Sequence, residues 1–506
     1  MIIDGGPVTP EELVAVARGD DDVRVESSVA EKMRPALEVV ERAVDGDRIV
    51  YGITTGFGAL ASTRIDRSQA EELQVNLLRS HAAGVGNPLP DDVVRGMMAL
   101  RARTLASGHS GVRPLVVEKI LELLENGILP VVPELGSVGA SGDLAPFAHL
   151  ALPLIGEGEV RIGDQIVPSA QALAMRGITP LSLGPKEGLS LLNGTEGMTT
   201  MGCLGLVGGL TLVRAADVAC AMTVESLYGS ERPFREEIHR LRPHPGQTAS
   251  AGRIKGVLAD SEIGASHIDD FEHAVQDAYS LRCAPQVHGA VLDTLGHARN
   301  VLEIELGSVV DNPIVLSETD EVISGGNFHG QPLAFILDFM TIAITELGSI
   351  SERRTDRILD PERSNGLPPF LSPHAGTHSG YMLTQYTAAA IVAENRVLSH
   401  PASVESIPTS GSQEDHVSMG WGAGRKLLTV LKHTIRVIAI EMLCAAQGIE
   451  YRELRPSPRT ARFVELIRSE VPPLEGDRPP GVDIEAISSL IESGAFDRIL
   501  ADEELL

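Results

Sequence analysis

The stretch of the chain with the clearest chemical potential is 136–152, which has Ala140-Ser141-Gly142 at its centre. Glycine has no side chain, so the Gly142 nitrogen can be pressed against the carbonyl carbon of Ala140 and close a five-membered ring. Loss of one water from that adduct and of a second from Ser141 would leave a methylidene-imidazolone, an electrophile made from the chain itself. Three small residues in a row are most often a turn, so the bare tripeptide does not establish this chemistry.

A second group of polar residues recurs at helical spacing. Gln276, Tyr279 and Arg282 follow one another at i, i+3 and i+6, which predicts one helix face carrying an amide, a phenol and a guanidinium. A guanidinium binds a carboxylate through two parallel hydrogen bonds, which suits Arg282 to the carboxylate of an amino acid. Tyrosine and arginine on an exposed helix also occur without any such role.

Helical patterns surround these residues and must position them. Asp143 is predicted as the N-cap of an apolar helix over 144–155, and Asp91 as the cap of a helix ending near Ser107. His81 falls on the apolar face of a helix over 68–83, where a histidine is more often a satisfied core residue than a ligand. The remaining long patterns cover 27–44, 114–126, 189–213, 332–353, 379–399 and 425–447.

The stretch 136–146, Gly-Ser-Val-Gly-Ala-Ser-Gly-Asp-Leu-Ala-Pro, resembles the signature of the histidine and phenylalanine ammonia-lyases almost residue for residue. Phe147 departs from it, because the family usually has leucine there. The resemblance implies a 4-methylidene-imidazol-5-one formed from Ala140, Ser141 and Gly142, with no external cofactor and no metal.

The resemblance extends to further motifs and implies roles for their residues. Tyr51 would be the catalytic base, Tyr279 and Asn193 would stabilise charge beside the electrophile, and Arg282 would hold the substrate carboxylate. Phe328, in Gly-Gly-Asn-Phe-His-Gly, would pack near the electrophile. The glycine-rich loop 51–58 does not end in the Gly-Lys-Ser/Thr of a phosphate-binding loop, so it does not indicate a nucleotide site.

Substrate choice depends on positions at which the lyases differ. Ser80-His81 and Glu414 resemble the histidine-specific members, which implies that His81 contacts the substrate and that Glu414 acts in catalysis. Gln413, beside Glu414, and Gln276, in a stretch that resembles the family's Gln-x-x-Tyr-x-x-Arg motif, would also contact the substrate. We therefore expect L-histidine to be converted to trans-urocanate and ammonia, the first step of histidine degradation. Thr54 and Gly330-Gln331 are more typical of the aromatic enzymes.

Two alternatives and one mechanistic question stay open at this point. A phenylalanine or tyrosine ammonia-lyase, or an aminomutase, would use the same electrophile. The chain could also be a catalytically inactive helical scaffold. The electrophile could be attacked by the substrate amine or by the substrate ring, and residue types do not separate the two.

Composition predicts a soluble, mainly helical chain. Of its 506 residues 43% are hydrophobic and only 3% are aromatic, which fits closely packed aliphatic helices. The net charge of −27 argues against nucleic acid as a partner. This negative charge, together with a content of only six lysines, raises the hypothesis that the protein is adapted to high salt, where repulsion between carboxylates is screened.

The cysteines, the N-terminus and one uncharged apolar segment indicate the cellular compartment. Cys203, Cys220, Cys283 and Cys444 are too dispersed to indicate a zinc site or a disulfide framework, which suits the cytoplasm. The N-terminus lacks the pattern of a signal peptide. The uncharged segment 197–213 is shorter than the ~20 residues of a membrane span, so we predict a buried central helix and no membrane partner.

Together these patterns predict a mainly α fold: a long-helix bundle of the ammonia-lyase type, with a loop-rich N-terminal part and a small hairpin within 157–168. We expect an N-terminal loop-and-helix region carrying the electrophile (1–200), a central long-helix bundle (201–450) and peripheral C-terminal helices (451–506). The resemblance further implies a homotetramer whose active sites are shared between subunits.

Overall fold

The computed structural model describes residues 1–46, 55, 70–267 and 276–506, and it is mainly α-helical, as predicted. Tyr51 and Thr54 lie outside the described residues. The described α-helices are α1 (Pro10–Arg18), α2 (Val29–Asp45), α3 (Ala70–His81), α4 (Asp91–Ala106), α5 (Pro114–Glu125), α6 (Leu144–Ala151), α7 (Ser169–Arg176), α8 (Glu187–Leu192), α9 (Glu196–Ser226), α10 (Glu236–Arg240), α11 (Pro245–Leu258), α12 (Glu262–Ala265), α13 (Tyr279–Arg282), α14 (Ala284–Glu305), α15 (Gln331–Leu359), α16 (Met382–Leu398), α17 (Gly420–Glu450), α18 (Pro458–Glu470), α19 (Pro480–Glu492) and α20 (Ala495–Asp502).

The described strands are short. They are β1 (Ile2–Ile3), β2 (Arg24–Val25), β3 (Val85–Pro88), β4 (Leu129–Pro130), β5 (Pro133–Leu135), β6 (Glu159–Ile162), β7 (Gln165–Pro168), β8 (Ile314–Leu316) and β9 (Glu321–Ile323). Strands β6 and β7 pair antiparallel, with Val160 opposite Val167, which confirms the predicted hairpin. Strand β4 adds to that hairpin, β3 pairs antiparallel with β5, β8 pairs antiparallel with β9, and β1 pairs parallel with β2.

The chain forms two compact units. The first comprises Met1–Leu204, Arg299–Asp338 and Pro401–Arg425, and the second comprises Gly205–Ala298, Phe339–His400 and Lys426–Leu506. The three functional regions expected from the sequence stay a prediction.

Local sequence signals explain where helix α1 begins and ends. The Thr9 side chain accepts from the backbone nitrogen of Glu12, and the Glu12 carboxylate accepts from that of Thr9, so the two close the start of α1 reciprocally. Gly19 ends α1 in the left-handed conformation, with φ of 81°.

The second unit contains a bundle built from parts of α9, α14, α15 and α17. Glycines on α9 allow close approach: a β-carbon on Gly208 would lie 2.7 Å from the Leu431 side chain, and one on Gly209 would lie 3.2 Å from Leu295. Buried charges also join these helices, because the guanidinium of Arg354 is paired with the carboxylate of Glu441 and both side chains are fully buried. The predicted buried central helix is thus present as α9.

Two predicted boundaries were wrong. The pattern from 189 onward predicted one helix, but α8 ends at Leu192 and α9 starts at Glu196, because the carbonyl of Gly194 turns away to accept from Asp143. Asp91 is the first residue of α4 rather than its cap, and its carboxylate pairs with Arg161.

Two helices, α9 and α15, are long and apolar enough to cross a membrane by length and composition alone. In both, however, most of the apolar window is buried within the protein: 72% for α9 and 67% for α15. Core helices of globular proteins meet the same criteria.

Candidate active site

The tripeptide loop, residues 136–143, leads from β5 into α6 and holds Gly142 in a conformation that only glycine adopts easily. Gly142 has φ of 70° and pairs as a parallel bridge with Gly194. A β-carbon on Gly142 would overlap the carbonyl oxygen of Gly194, so no other residue fits here without moving the backbone. The backbone nitrogen of Asp143 donates to that same carbonyl at 2.8 Å.

The Ser141 side chain meets Asn193. Its hydroxyl donates a short hydrogen bond to the Asn193 side-chain carbonyl, and Asn193 is only 3% exposed. The Asn193 amide nitrogen donates to the carbonyl of Leu189 at 3.2 Å, which orients the side chain. The structure therefore brings together two of the residues singled out from the sequence, 52 positions apart.

Asp143 does not act as the N-cap that its position predicts. Helix α6 does begin at Leu144, but the Asp143 carboxylate makes no bond to the first turn of α6 and instead accepts from the backbone nitrogen of Met198 at 3.0 Å, in the first turn of α9. The side chain is fully buried, and this burial, with the nearby charge of Glu196, raises the Asp143 pKa to about 8. The hydrogen bonds from the backbone nitrogens of Met198 and Gly197 lower the pKa, but by less.

His81 and Glu414 are near one another in the first unit. His81 ends α3, and its Nδ1 lies 3.0 Å from the carbonyl of Leu77, so Nδ1 carries the proton and Nε2 presents its lone pair. Burial lowers the His81 pKa, while the charge of Glu414 acts in the opposite direction. The imidazole is therefore neutral near pH 7.

The segment that carries Gln413 and Glu414 is tied to the tripeptide loop. Thr409 donates through its hydroxyl to the Glu414 carboxylate at 3.0 Å, which fixes the side chain. Further along, the backbone nitrogen of Met419 donates to the carbonyl of Val138 at 2.9 Å. Glu414 is half-buried and Gln413 is exposed.

Phe328 is half-buried between β9 and α15. Next to it, the ring of His329 stacks on that of His416, with centroids 5.8 Å apart. Gly330 packs against Met198, since a β-carbon there would overlap the methionine side chain. The segment bearing Phe328 thus adjoins the start of α9, which also receives Asp143.

Gln276, Tyr279 and Arg282 belong to the second unit and do not share a helix face, so that prediction was wrong. Ala278 is extended, with ψ of 155°, and α13 begins only at Tyr279. The chain is held there because the backbone nitrogen of Ser230 donates to Asp277 at 2.7 Å.

Within this short segment, Arg282 stacks on Tyr279. The guanidinium carbon lies 4.5 Å from the ring centroid, and Nε donates to the carbonyl of Asp277 at 2.9 Å. The Tyr279 side chain is 71% exposed and Gln276 is also exposed. The phenol and the guanidinium are therefore presented together at the surface of the chain.

Sequence reasoning missed several buried polar residues behind the tripeptide loop. Arg101 contacts the backbone of Asn193, and Lys186 is buried with Asp311. A cue for Arg101 is its place among apolar residues in the middle of α4. In the part of the chain that is described, no group of three or more histidine, cysteine, aspartate or glutamate side chains is arranged to hold a metal ion.

This site and fold define a class of protein, and comparison with known proteins agrees. The aromatic amino acid lyase family profile matches residues 8–469, and the chain belongs to that family. Members of this family use a self-formed methylidene-imidazolone group.

Individual relatives include histidine ammonia-lyases and a tyrosine aminomutase. The histidine ammonia-lyase of Gloeobacter violaceus is 52% identical over 495 residues, which cover 98% of this chain and 96% of that protein. The crystal structure of histidine ammonia-lyase from Trypanosoma cruzi is 40% identical with a TM-score of 0.92, covering 99% of this chain and 95% of that one. Tyrosine aminomutase from Streptomyces globisporus is 41% identical with a TM-score of 0.95, covering 99% and 98%.

Proposed function

We propose that this chain eliminates ammonia from L-histidine to give trans-urocanate. The observation that carries this proposal is that His81 and Glu414, whose charge acts on the His81 imidazole, lie in the unit that also holds Ser141. Relatives about half identical over nearly the whole chain, and named histidine ammonia-lyase, support it.

We further propose that Ala140, Ser141 and Gly142 form the electrophile. The bond formed joins the Gly142 nitrogen to the Ala140 carbonyl carbon. One water leaves with the Ala140 oxygen and the amide hydrogens of Gly142 and Ser141; the other leaves with the Ser141 hydroxyl and its α-hydrogen. The left-handed Gly142 and the hydroxyl bond to Asn193 fit this chemistry, because both hold the reacting atoms in one place.

Elimination is difficult because ammonia leaves poorly and the β-hydrogen is scarcely acidic. The electrophilic carbon supplies an acceptor for the substrate amine or for the substrate ring. Residues named by the family resemblance would do the rest: a Tyr51 phenolate would accept the β-proton, Asn193 and Tyr279 would donate to developing charge, and Arg282 would bind the carboxylate.

Specificity follows from the protonation of His81. Its Nε2 accepts an N–H of the substrate imidazole, and the Glu414 carboxylate accepts from the other ring nitrogen when that nitrogen is protonated. Gln276 and Gln413 would add amide contacts, and Phe328 an apolar wall. A phenyl ring would leave the His81 Nε2 and one oxygen of Glu414 without a donor, at roughly 1–3 kcal/mol each.

A second candidate function is an aromatic ammonia-lyase or aminomutase. It is favoured by the similarity to tyrosine aminomutase over nearly the whole chain, together with Thr54 and Gly330-Gln331. A catalytically inactive scaffold is the third possibility, and it requires Ser141 to stay unmodified.

We also propose a homotetramer with shared active sites, working in the cytoplasm. Apolar surface in the second unit supports assembly: on α16, Leu383, Tyr386 and Val397 are each more than half exposed. An open groove of about 670 Å³ between α14 and α15 is lined largely by apolar side chains. Sedimentation should give the mass of four chains, and a monomer at micromolar concentration would contradict this.

Competition between amino acids tests the proposed substrate. We expect kcat/KM for L-histidine to exceed that for L-phenylalanine and L-tyrosine by at least about a hundredfold, as one or two unpaired groups imply. Product analysis with L-tyrosine separates elimination from migration of the amine. Comparable rates with the aromatic substrates, or a β-amino acid product, would move the assignment to the second candidate.

A further inference from the structure

Arg101 is a fully buried arginine on α4 that holds the backbone beside Ser141. One guanidinium nitrogen, Nη1, donates to the carbonyl of Asn193 at 2.6 Å and to that of Ser190 at 3.1 Å. The other, Nη2, donates to the Glu196 carboxylate at 2.6 Å. One planar group therefore binds the end of α8 and the start of α9 simultaneously.

These bonds fix the turn between α8 and α9, residues 193–195, from behind. A β-carbon on Gly194 would overlap both Arg101 and Glu196, so the guanidinium fills the space next to that glycine. On its other side the turn meets the tripeptide loop, through the Asn193 side chain on Ser141 and the Gly194 carbonyl on Asp143.

The Arg101 guanidinium stacks on the ring of Phe147, the one residue that departs from the family signature. The guanidinium carbon lies 4.4 Å from the Phe147 ring centroid, and both side chains are fully buried. A cation over an aromatic face is attracted by the ring quadrupole, and the attraction strengthens when water is excluded. Helix α6 therefore supports Arg101, and Arg101 supports the turn that faces the beginning of α6.

The start of α8 is held by a second buried cation. Lys186 is fully buried, and its ammonium donates to the Asp311 carboxylate at 2.9 Å and to the Ser190 hydroxyl at 2.8 Å. Helix α8 is thus anchored at its start by Lys186 and at its end by Arg101. Loss of Arg101 would release only the end that carries Asn193.

We propose that Arg101, stacked on Phe147, is a positioning residue that sets the Asn193 amide against the Ser141 hydroxyl. This rests on the proposed function, in that Ser141 is the precursor of the electrophile. Arg101 contacts none of the reacting atoms and acts through Asn193. Both formation of the electrophile and subsequent turnover depend on it.

Arg101→Lys tests the proposal, and Arg103→Lys is its matched control. Lysine keeps the charge beside Glu196 but cannot also bind two carbonyls or stack as a planar group. Arg103 lies two residues further along α4, is also buried, and also binds backbone carbonyls, those of Gly6 and Gly307, at 2.7 and 2.6 Å. Each variant is purified and measured for the mass of the peptide spanning 136–152, kcat, KM and melting temperature.

We expect both lysine variants to melt at lower temperature, but only Arg101→Lys to contain peptide that has failed to lose two waters. Per modified site, its kcat should fall about tenfold with little change in KM, as loss of one charge-assisted hydrogen bond implies. In an Asn193→Ala background, Arg101→Lys should add no further loss of kcat, because its effect passes through Asn193.

Complete loss of two waters and a wild-type kcat in Arg101→Lys would overturn the proposal, as would full additivity with Asn193→Ala. If Arg101→Lys does not fold, the double variant Arg101→Gln/Glu196→Gln removes both buried charges together and is judged by the same readouts. Absence of the mass loss in the wild-type protein itself would instead overturn the proposed function.

Discussion

Asp143→Asn should stabilise the protein increasingly as pH rises from about 5.5 to about 8. Burial raises the pKa of the Asp143 carboxyl to about 8 in the folded chain. In the unfolded chain it titrates near its ordinary value of about 3.9. Between those values the unfolded state releases a proton that the folded state keeps, so folding becomes less favourable as pH rises. Asparagine does not titrate, and its carbonyl can still accept from Met198.

The magnitude follows from the pKa difference. Below about pH 4 the carboxyl is neutral in both states and contributes no pH dependence, and above about pH 8 it is charged in both. At about 1.4 kcal/mol per pKa unit, the advantage of asparagine should grow by about 3 kcal/mol between pH 5.5 and 8 and then level off. This is an upper value, because water entering the site reduces the effect of burial.

Urea unfolding at several pH values measures this, with both proteins carrying Ser141→Ala so that formation of the electrophile does not differ between them. Asp477→Asn is the control, because bonds from the backbone nitrogens of Ser379 and Gly380 lower the Asp477 pKa. That carboxyl is ionised in both states across the whole window, so its replacement should shift stability by a constant amount. A constant shift for Asp143→Asn as well would refute the reasoning and show that Asp143 is charged in the folded protein.

Three further predictions concern specificity, salt and the bundle. Glu414→Gln should lower kcat/KM for histidine about tenfold or more at unchanged melting temperature, whereas the exposed Glu405→Gln should change neither; an unimpaired Glu414→Gln enzyme would favour the aromatic lyases. If the net charge of −27 reflects adaptation to high salt, molar KCl should raise the melting temperature more than it does for a homologue of balanced charge, and equal shifts would contradict this. Glu441→Ala should destabilise the protein by about 3–5 kcal/mol, because it leaves the Arg354 charge buried without its carboxylate, and a loss below about 1 kcal/mol in urea unfolding would be inconsistent with that burial.

Helix boundaries could be predicted where the signal is local. Thr9 and Glu12 form their capping box within four residues of sequence, and the β6–β7 hairpin is evident from alternation around Gly163-Asp164. The type and extent of long elements such as α15 and α17 follow from the period of their apolar residues. Fold class was therefore accessible from the sequence alone.

Features set by distant contacts were not accessible in this way. The turn after α8 breaks an apolar helical pattern because Gly194 bonds to Asp143, 51 positions earlier, and Asp143 leaves its own helix to bind α9. Arg101 reaches Asn193 across 92 positions, so its place among the apolar residues of α4 indicates burial but not a part in the site. Motif resemblance named the residues that we propose to face the substrate, but not those that hold them in place.

The most direct test of the central claim is the mass of the peptide spanning 136–152, released from active wild-type protein and from Ser141→Ala. We predict that the wild-type peptide is lighter than its sequence by two waters. The Ser141→Ala peptide should not lose the water that comes from the Ser141 side chain, and this variant should fold yet lose activity by several powers of ten. An unmodified wild-type peptide in turning-over enzyme, or an active Ser141→Ala protein, would contradict the claim that Ala140-Ser141-Gly142 is the source of the electrophile.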